Sequence, residues 1–326
     1  MTAGGHVIAL CGGVGGAKLA FGLARLLAPG ELTIVVNTGD DFEHLGLSVS
    51  PDIDTVLYTL AGLSDRKRGW GLAGETWNFL AALGRLGGET WFALGDHDLA
   101  THVERTRRLA AGESLSAVTA AFAQALGLLH PIVPMTDGRL RTIIESEEGD
   151  LPFQHYFARA RCEPVARGVR FELAEDAVQS AGFRAALERD DLAAVILCPS
   201  NPYLSIDPIL ALPGVRARLE AIEAPIVAVS PIIGGKALKG PAAKLMAELG
   251  VTPGVLAVAE HYRGLLAGLV IDRVDRTEAA ALRGRGVEPL VARSVMKGDE
   301  DRIRLARETL AFAAALAPDP RRRKAS

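Results

Sequence analysis

The sequence predicts an α/β protein, a Rossmann-like three-layer fold with a mainly parallel sheet and a smaller helical or irregular insertion. Three observations carry that reading. A short apolar run, HVIALC at 6–11, closes on Gly12 and is followed by Leu19, Leu23, Leu26 and Leu27 at helical spacing, the pattern of strand, glycine loop and helix. A second run, from Leu32 to Asn37, breaks at TGDD and completes a β-α-β unit of roughly 30 residues. Buried-strand patterns return at 192–201, 224–235 and 265–275, each closing on polar residues or glycine.

Residues 51–150 read mostly as helix, through DTVLYTLAGL, ETWNFLAALGRL, ATHVERTRRLAAG and LSAVTAAFAQAL, with IVPMTD and LRTIIESEEG as short strands. The Arg-rich stretch from Phe153 to Leu173 reads as irregular. Residues 1–318 are expected to form one large domain, with a Rossmann-like core at about 1–60 and 190–275 and an insertion at about 61–189. The charged tail 319–326 lacks periodicity and is expected to fray.

Composition narrows the function classes. With 49% hydrophobic and 23% charged residues the chain has ordinary globular usage. Lys plus Arg (36) against Asp plus Glu (39) leaves a formal charge of -3, which supplies no field for a nucleic-acid backbone, so phosphate recognition must come from local N–H groups and a few placed cations. Cys11, Cys162 and Cys198 contain no CxxC pair and support neither a disulfide framework nor a thiolate zinc site. The first apolar run is too short for a signal segment, and no run approaches ~18 apolar residues. A cytoplasmic protein without membrane contact is expected, and an Ala-rich, weakly charged surface suggests a homodimer.

Gly12, Gly13, Gly15 and Gly16 sit between strand and helix, where missing side chains let a phosphate approach backbone N–H groups and the helix dipole adds attraction. Lys18 supplies a cation. The loop matches neither GxGxxG in full nor the Walker spacing, since Ala17-Lys18-Leu19 lacks the hydroxyl that would hold magnesium. A tight turn is the plainer role for the same glycines.

Asn37, Thr38, Asp40 and Asp41 fall at a strand's carboxyl end, with Asp52 and Asp54 after a short loop. Open α/β sheets bind ligands at such ends, and hard oxygen ligands suit Mg2+, with Asp41 and Asp54 as the candidate pair. The competing roles are a turn cap for Asp40 and a helix cap for Asp52 or Asp54. In LGDHDLATH, residues Asp96, His97, Asp98 and His102 follow the apolar run WFAL, where a strand should end. Histidines five apart without HExxH or a cysteine pair make a poor zinc site. His97 is the ligand-facing candidate, the alternative being that Asp98 caps a helix and His102 lies on its exposed face.

Farther on, PSNPYLSIDPIL offers Ser200, Asn201 and Ser205. Asn201 reads either as a contact to an amide-like ring edge or as an Asx-turn at Asn-Pro. In SPIIGGKALKGPAAKLM, Ser230, Gly234 and Gly235 precede Lys236, Lys239 and Lys244, a second anion-binding arrangement weighed against solvated surface lysines.

Taken in order between residues 12 and 246, GGVGGAK, VVNTGDD, PDIDTVLYTL, RGWG, LGDHDLATH, PSNP, SPIIGG and KGPAAKLM make the chain resemble the 2-phospho-L-lactate transferase family, the CofD type, of coenzyme F-420 biosynthesis. The resemblance implies a transferase that moves a phospho-acid (2-phospho-lactate, phosphoenolpyruvate or 3-phosphoglycerate) from a guanosine diphosphate-activated donor. The acceptor it implies is the ribityl hydroxyl of 8-hydroxy-5-deazariboflavin, with GMP released, a phosphodiester formed and Mg2+ as cofactor. It also implies that Asp54 and His97 contact the deazaflavin, while the Gly12 and Lys236 loops lie near the nucleotide. His97 stands where relatives often carry Lys or Arg, and Asp207 where glycine is usual.

Such chemistry needs positioning and charge neutralisation more than a protein nucleophile, and no Ser-His-Asp or Cys-His set is visible. Magnesium on Asp41 and Asp54 would neutralise the phosphates while an aspartate near the ribityl hydroxyl takes its proton. Two rivals exist: a related regulator that binds nucleotide-sugars without transfer, and an NAD-linked dehydrogenase using Asp40. RGWG, LGDHDLATH and PSNP favour the transferase over the first, and the incomplete GxGxxG weakens the second.

Overall fold

Strands covered on both faces by helices must be largely apolar, and the runs at 6–11, 32–36 and 192–197 are, with His6 and Thr33 bonded to each other at 3.0 Å. In the computed structural model, which describes residues 5–317, they form a seven-stranded sheet. Its order is Glu288–Ala292, Gly268–Asp272, Ile226–Val229, Leu192–Leu197, His6–Cys11, Leu32–Val36 and Ile132–Pro134. Every pairing is parallel. The expected tail at 319–326 lies outside the described residues.

Successive side chains point to opposite faces of each strand, so one strand feeds two cores. Ile8, Leu10, Val195 and Leu197 pack with Phe183, Leu219 and Val258 on one side. Val7, Ala9, Cys11 and Ile196 pack with Leu19, Leu23, Ile53, Leu57 and Leu305 on the other. The result is helix, sheet, helix: the expected three layers with a mainly parallel sheet. From His6–Cys11 the chain moves outward to Leu32–Val36, and it later returns to add Leu192–Leu197 on the opposite side. That reversal opens a crevice beyond Gly12 and Pro199, where ligands bind in open α/β sheets.

Several elements differ from the sequence expectation. Ile132–Pro134, inside 61–189, pairs with Leu32–Val36 and belongs to the central sheet. The stretch from Phe153 to Leu173 is not irregular throughout. Ala166–Leu173 pairs antiparallel with Leu140–Ser146, which also pairs with Gly149–Pro152. Arginines obscured this strand in the sequence because their charges are met across it: Arg170 bonds Asp150 and Glu172, each at 2.7 Å. WFAL at 91–94 forms no strand. Beyond residue 275 the fold continues with the edge strand Glu288–Ala292 and the helix Asp299–Leu316. Among the described residues no helix is long and apolar enough to cross a membrane.

The last helix lies against the first, Gly13–Ala24, and the approach is close at Gly22. A Cβ there would collide with the carbonyl oxygen of Arg302 and fall 2.9 Å from Cβ of Ala306. Overpacking of this kind costs about 1–3 kcal/mol. Gly22→Val is therefore expected to lower the unfolding free energy measured in urea by that amount, and an unchanged midpoint would show that the two helices have slack.

Candidate active site

At the crevice, Ser200 and Gly12 grip each other. The Ser200 hydroxyl donates to Gly12 O (2.8 Å) and accepts from Gly12 N–H (3.1 Å). From the other side Asp52, in the first turn of helix Pro51–Leu60, accepts Gly13 N–H through Oδ1 (2.7 Å) and Asn37 Nδ2 through Oδ2 (2.9 Å). Asn37 Nδ2 donates also to Leu204 O (3.2 Å), and its Oδ1 accepts Gly39 N–H (2.8 Å). Asp52 thus caps the glycine-loop helix rather than its own.

The glycines follow from this crowding. A Cβ at Gly12 would strike Asp52 Oδ2, one at Gly15 the carbonyl oxygen of Pro199, and one at Gly16 would sit 2.9 Å from Cys11 Cβ. Gly13 has open space around it, and its φ of 64° lies in the left-handed region that favours glycine. Of the first four N–H groups of this helix, Gly12 and Gly13 are already bonded, which leaves Val14 and Gly15 as donors for an anion. The loop makes the tight turn, and these two N–H groups are open to an anion.

Four carboxylates gather beside it. Asp41 accepts the Ser50 hydroxyl (2.7 Å), while one oxygen each of Asp40 and Asp41 is enclosed without a hydrogen-bond partner, as is the Thr38 hydroxyl. Burial, with the nearby Asp52 charge, pushes Asp40 well above the usual carboxylate range. Burial also raises Asp41 against the Ser50 hydrogen bond. Asp52 is pushed up to about 6 by burial, opposed by its bonds from Asn37 and Gly13. Enclosed oxygens that lack donors suit a hard cation, so Asp40 Oδ1 and Asp41 Oδ1 are the ones open to Mg2+, whereas both Asp52 oxygens are already bonded.

Asp54 differs, because both of its oxygens are taken by Arg105, one at 3.1 Å. Arg105 is 1% exposed, and its guanidinium also approaches Ser48 O and, at 3.3 Å, His102 Nδ1. His102 lies between two carboxylates, Nδ1 3.7 Å from Asp54 and Nε2 3.6 Å from Asp98. Asp98 accepts the Tyr58 hydroxyl at 2.6 Å. Burial opposes ionisation of Asp98, but the hydrogen bond and charge of His102, with Tyr58, outweigh it and lower its pKa. Asp54, Asp98 and His102 could together hold a metal, their ligand atoms lying within 4.8 Å of one another, yet Arg105 already neutralises Asp54. The acidic group without a bonded protein cation is the better fit.

One cavity of about 740 Å³ joins these parts. Gly12, Gly13, Gly15, Lys18, Asp40, Asp52 and Asp54 line it from the first half of the chain; Ser200, Asn201, Ser230 and Lys239 line it from the second. Trp70, Trp91, Phe92, Phe153 and Phe157 add an aromatic wall that the sequence reading did not single out. Asn201 makes the Asx-turn weighed for it, Oδ1 accepting Tyr203 N–H (3.1 Å), while Nδ2 is buried without a partner.

Other expected residues lie off the wall. Gly16, Asn37, Thr38 and Asp41 do not line the cavity, although Asn37 positions Asp52. The His97 side chain is 63% exposed and outside the cavity; the buried histidine is His102, contrary to the exposed face considered for it. Gly234 gives its N–H to Asp275 (3.0 Å), and Gly235 and Lys236 are exposed outside the wall. Lys244 bonds Tyr156 (3.1 Å), and Asp207 pairs with His261 (2.8 Å). Arg105 was missed, although positions 98, 102 and 105 share one face of helix Asp96–Ala110 and could have been read from spacing.

Fold and cavity thus define a Rossmann-like α/β protein with a ligand-sized crevice at its topological switch point. Residues 7–303 match the family model described as 2-phospho-L-lactate transferase CofD. A phosphoenolpyruvate transferase of Streptomyces avermitilis is 40% identical over 94% of this chain and 98% of its own. A 2-phospho-L-lactate transferase of Methanosarcina mazei is 38% identical over 92% and 98%. The crystal structure of a upf0052 family member from Bacillus halodurans superposes with a TM-score of 0.63 at 15% identity, covering 94% of this chain and 99% of that one, a likeness of fold. The chain belongs to the 2-phospho-L-lactate transferase CofD family.

Removing one partner of a buried ion pair costs about 3–5 kcal/mol, because the other charge stays buried alone. Arg105→Met is expected to lose that much stability in urea unfolding, and Asp54→Asn in the same chain should restore a large part of it. Additive losses in this double-mutant cycle would contradict the pairing.

A pH test concerns the segment before helix Asp96–Ala110. Hydrogen bonds from Thr76 and from the Phe79 and Asn78 N–H groups hold Asp96 down to about 2, below its ordinary 3.8. The folded value is depressed, so the contribution is complete above the ordinary value and disappears as pH falls through about 2. Trp77 fluorescence should report that acid transition, and Asp96→Asn should remove it; an identical transition in the variant would assign it elsewhere.

Proposed function

We propose that this protein transfers a phospho-lactyl-type group from a guanosine diphosphate-activated donor to the ribityl hydroxyl of 8-hydroxy-5-deazariboflavin, releasing GMP in coenzyme F-420 biosynthesis. The observation that carries the reading is the single cavity in which anion donors, a carboxylate group and an aromatic wall meet. Relatives named for phosphoenolpyruvate and for 2-phospho-L-lactate support the class of acid.

In this reading the free N–H groups of Val14 and Gly15 receive phosphate oxygens together with Lys18 and Lys239. Asn201 Nδ2 offers a donor to the base, and the wall of Trp91, Phe92, Phe153 and Phe157 packs against the flat tricycle. Asp54, fixed by Arg105, accepts the ribityl O–H and orients its oxygen toward phosphorus. The new P–O bond forms as the bond to GMP breaks, and the proton passes to a carboxylate. Mg2+, held by Asp40 and Asp41 with Asp52 nearby, would supply charge neutralisation at the diphosphate.

The test is mass analysis of reactions containing the deazaflavin, Mg2+ and each of three donors, carrying lactate, enolpyruvate or glycerate. A phosphodiester and equimolar GMP should form with at least one donor, and a chelator should stop the reaction. Asp54→Asn should slow it by about 10²-fold or more. No product with any donor would sink the reading, and full activity of Asp54→Asn would remove that residue from it.

A further inference from the structure

A second, smaller pocket of about 60 Å³ adjoins the main cavity, and Lys18, Tyr58, Trp70 and Lys239 line both. Its walls carry Lys18, Arg66, Lys239, Lys297 and Arg302. The carboxylates nearby are Asp65, already held by Arg68 at 2.9 Å, and Asp299, which Arg66 and Arg302 share at 2.8 and 3.1 Å. Lys18 donates to a neutral partner, Met296 O, at 3.2 Å. Arg302 is 4% exposed, and its Nε–H is buried without a partner. Burial, then the charges of Arg302 and Lys239, lowers the Lys18 pKa, as burial lowers that of Arg302.

Like charges gathered in a partly buried pocket repel one another and lose hydration, an arrangement that an entering anion relieves. The RGWG segment contributes room: Gly69 has a φ of 78°, and a Cβ there would collide with the Lys239 ammonium group.

We propose that this pocket is a subsite for one metal-free oxyanion, the carboxylate of the acid that is transferred; the inference rests on the transferase reading above. The volume suits a single oxyanion rather than a diphosphate. Phosphates bridged by a divalent cation belong at the acidic end, beside Asp40 and Asp52, whereas an anion that brings no metal needs protein cations. An arginine fork with a free N–H matches a carboxylate in shape as well as charge. Lys18 and Lys239, lining both spaces, connect the two ends of the donor.

The experiment compares three ligands by calorimetry without acceptor: the guanosine diphosphate-linked phospho-lactate donor, its carboxamide analogue, and GDP. Native protein should prefer the carboxylate donor to the carboxamide by on the order of tenfold, the strength of one charge-assisted hydrogen bond. Arg302→Gln should abolish that preference and leave GDP affinity within about twofold. Lys297→Gln, at an exposed position, should reduce the preference without the risk of misfolding. Equal affinity of native protein for carboxylate and carboxamide, or a preference that survives both substitutions, would overturn the subsite. A loss of GDP affinity matching that of the donor would assign the pocket to a phosphate and overturn it as well. Product formation by native protein separates these results from failure of the transferase reading, which would show as no turnover at all.

Discussion

The carboxylate of Asp52 bonded to the Gly13 N–H is the contact on which the site depends. Through Asn37 the same side chain reaches Leu204, and through Gly12 the loop is joined to Ser200, nearly two hundred residues away in sequence. Hydrogen bonds to a charged group are worth about 1.5–3 kcal/mol each, and leaving such donors buried without a partner costs a similar amount. The network therefore ties both halves of the crevice to one geometry. It also explains why glycine is needed at positions 12, 15 and 16: each supports close approach of the 199–205 segment.

With that junction closed, the cavity has two electrostatic ends. Asp40 and Asp52 line the acidic end, where one Asp40 oxygen lacks a donor, while Lys18 and Lys239 line the basic end beside Arg302, whose Nε–H has no partner although Asp299 meets its guanidinium. Neither end is satisfied by the protein alone. The proposed donor, a metal-bound diphosphate carrying a distal carboxylate, would complement both. Asp54 stands apart because Arg105 already neutralises it, which suits a residue that orients a hydroxyl more than one that binds a cation.

The parts legible in the sequence were those whose chemistry is local. Strand, glycine loop and helix follow one another within residues 6–27, and the acidic pair in PDID lies in the first turn of the helix Pro51–Leu60. Eight ordered segments sufficed for the family because they extend over most of the length that the family model matches. The pairing of Asp54 with Arg105 was hidden, since it joins two helices whose relative placement no local pattern encodes. His97 and His102 belong to one helix, and only packing decides which of them is buried. Ala166–Leu173 escaped notice because its arginines look like a solvated loop until Asp150 and Glu172 are found beside them. The aromatic wall was equally non-local, assembled from positions 70, 91–92 and 153–157.

Amide hydrogen exchange at Gly13, in the native chain and in Asp52→Leu, tests the junction most directly. If Asp52 holds the loop, the Gly13 amide exchanges slowly in the native protein and at least tenfold faster in the variant, with residues 199–205 loosening alongside it while Gly268–Asp272 stays protected. The same slow exchange at Gly13 in both proteins would mean that the loop keeps its shape without Asp52, and the two halves of the crevice would need another explanation for their meeting.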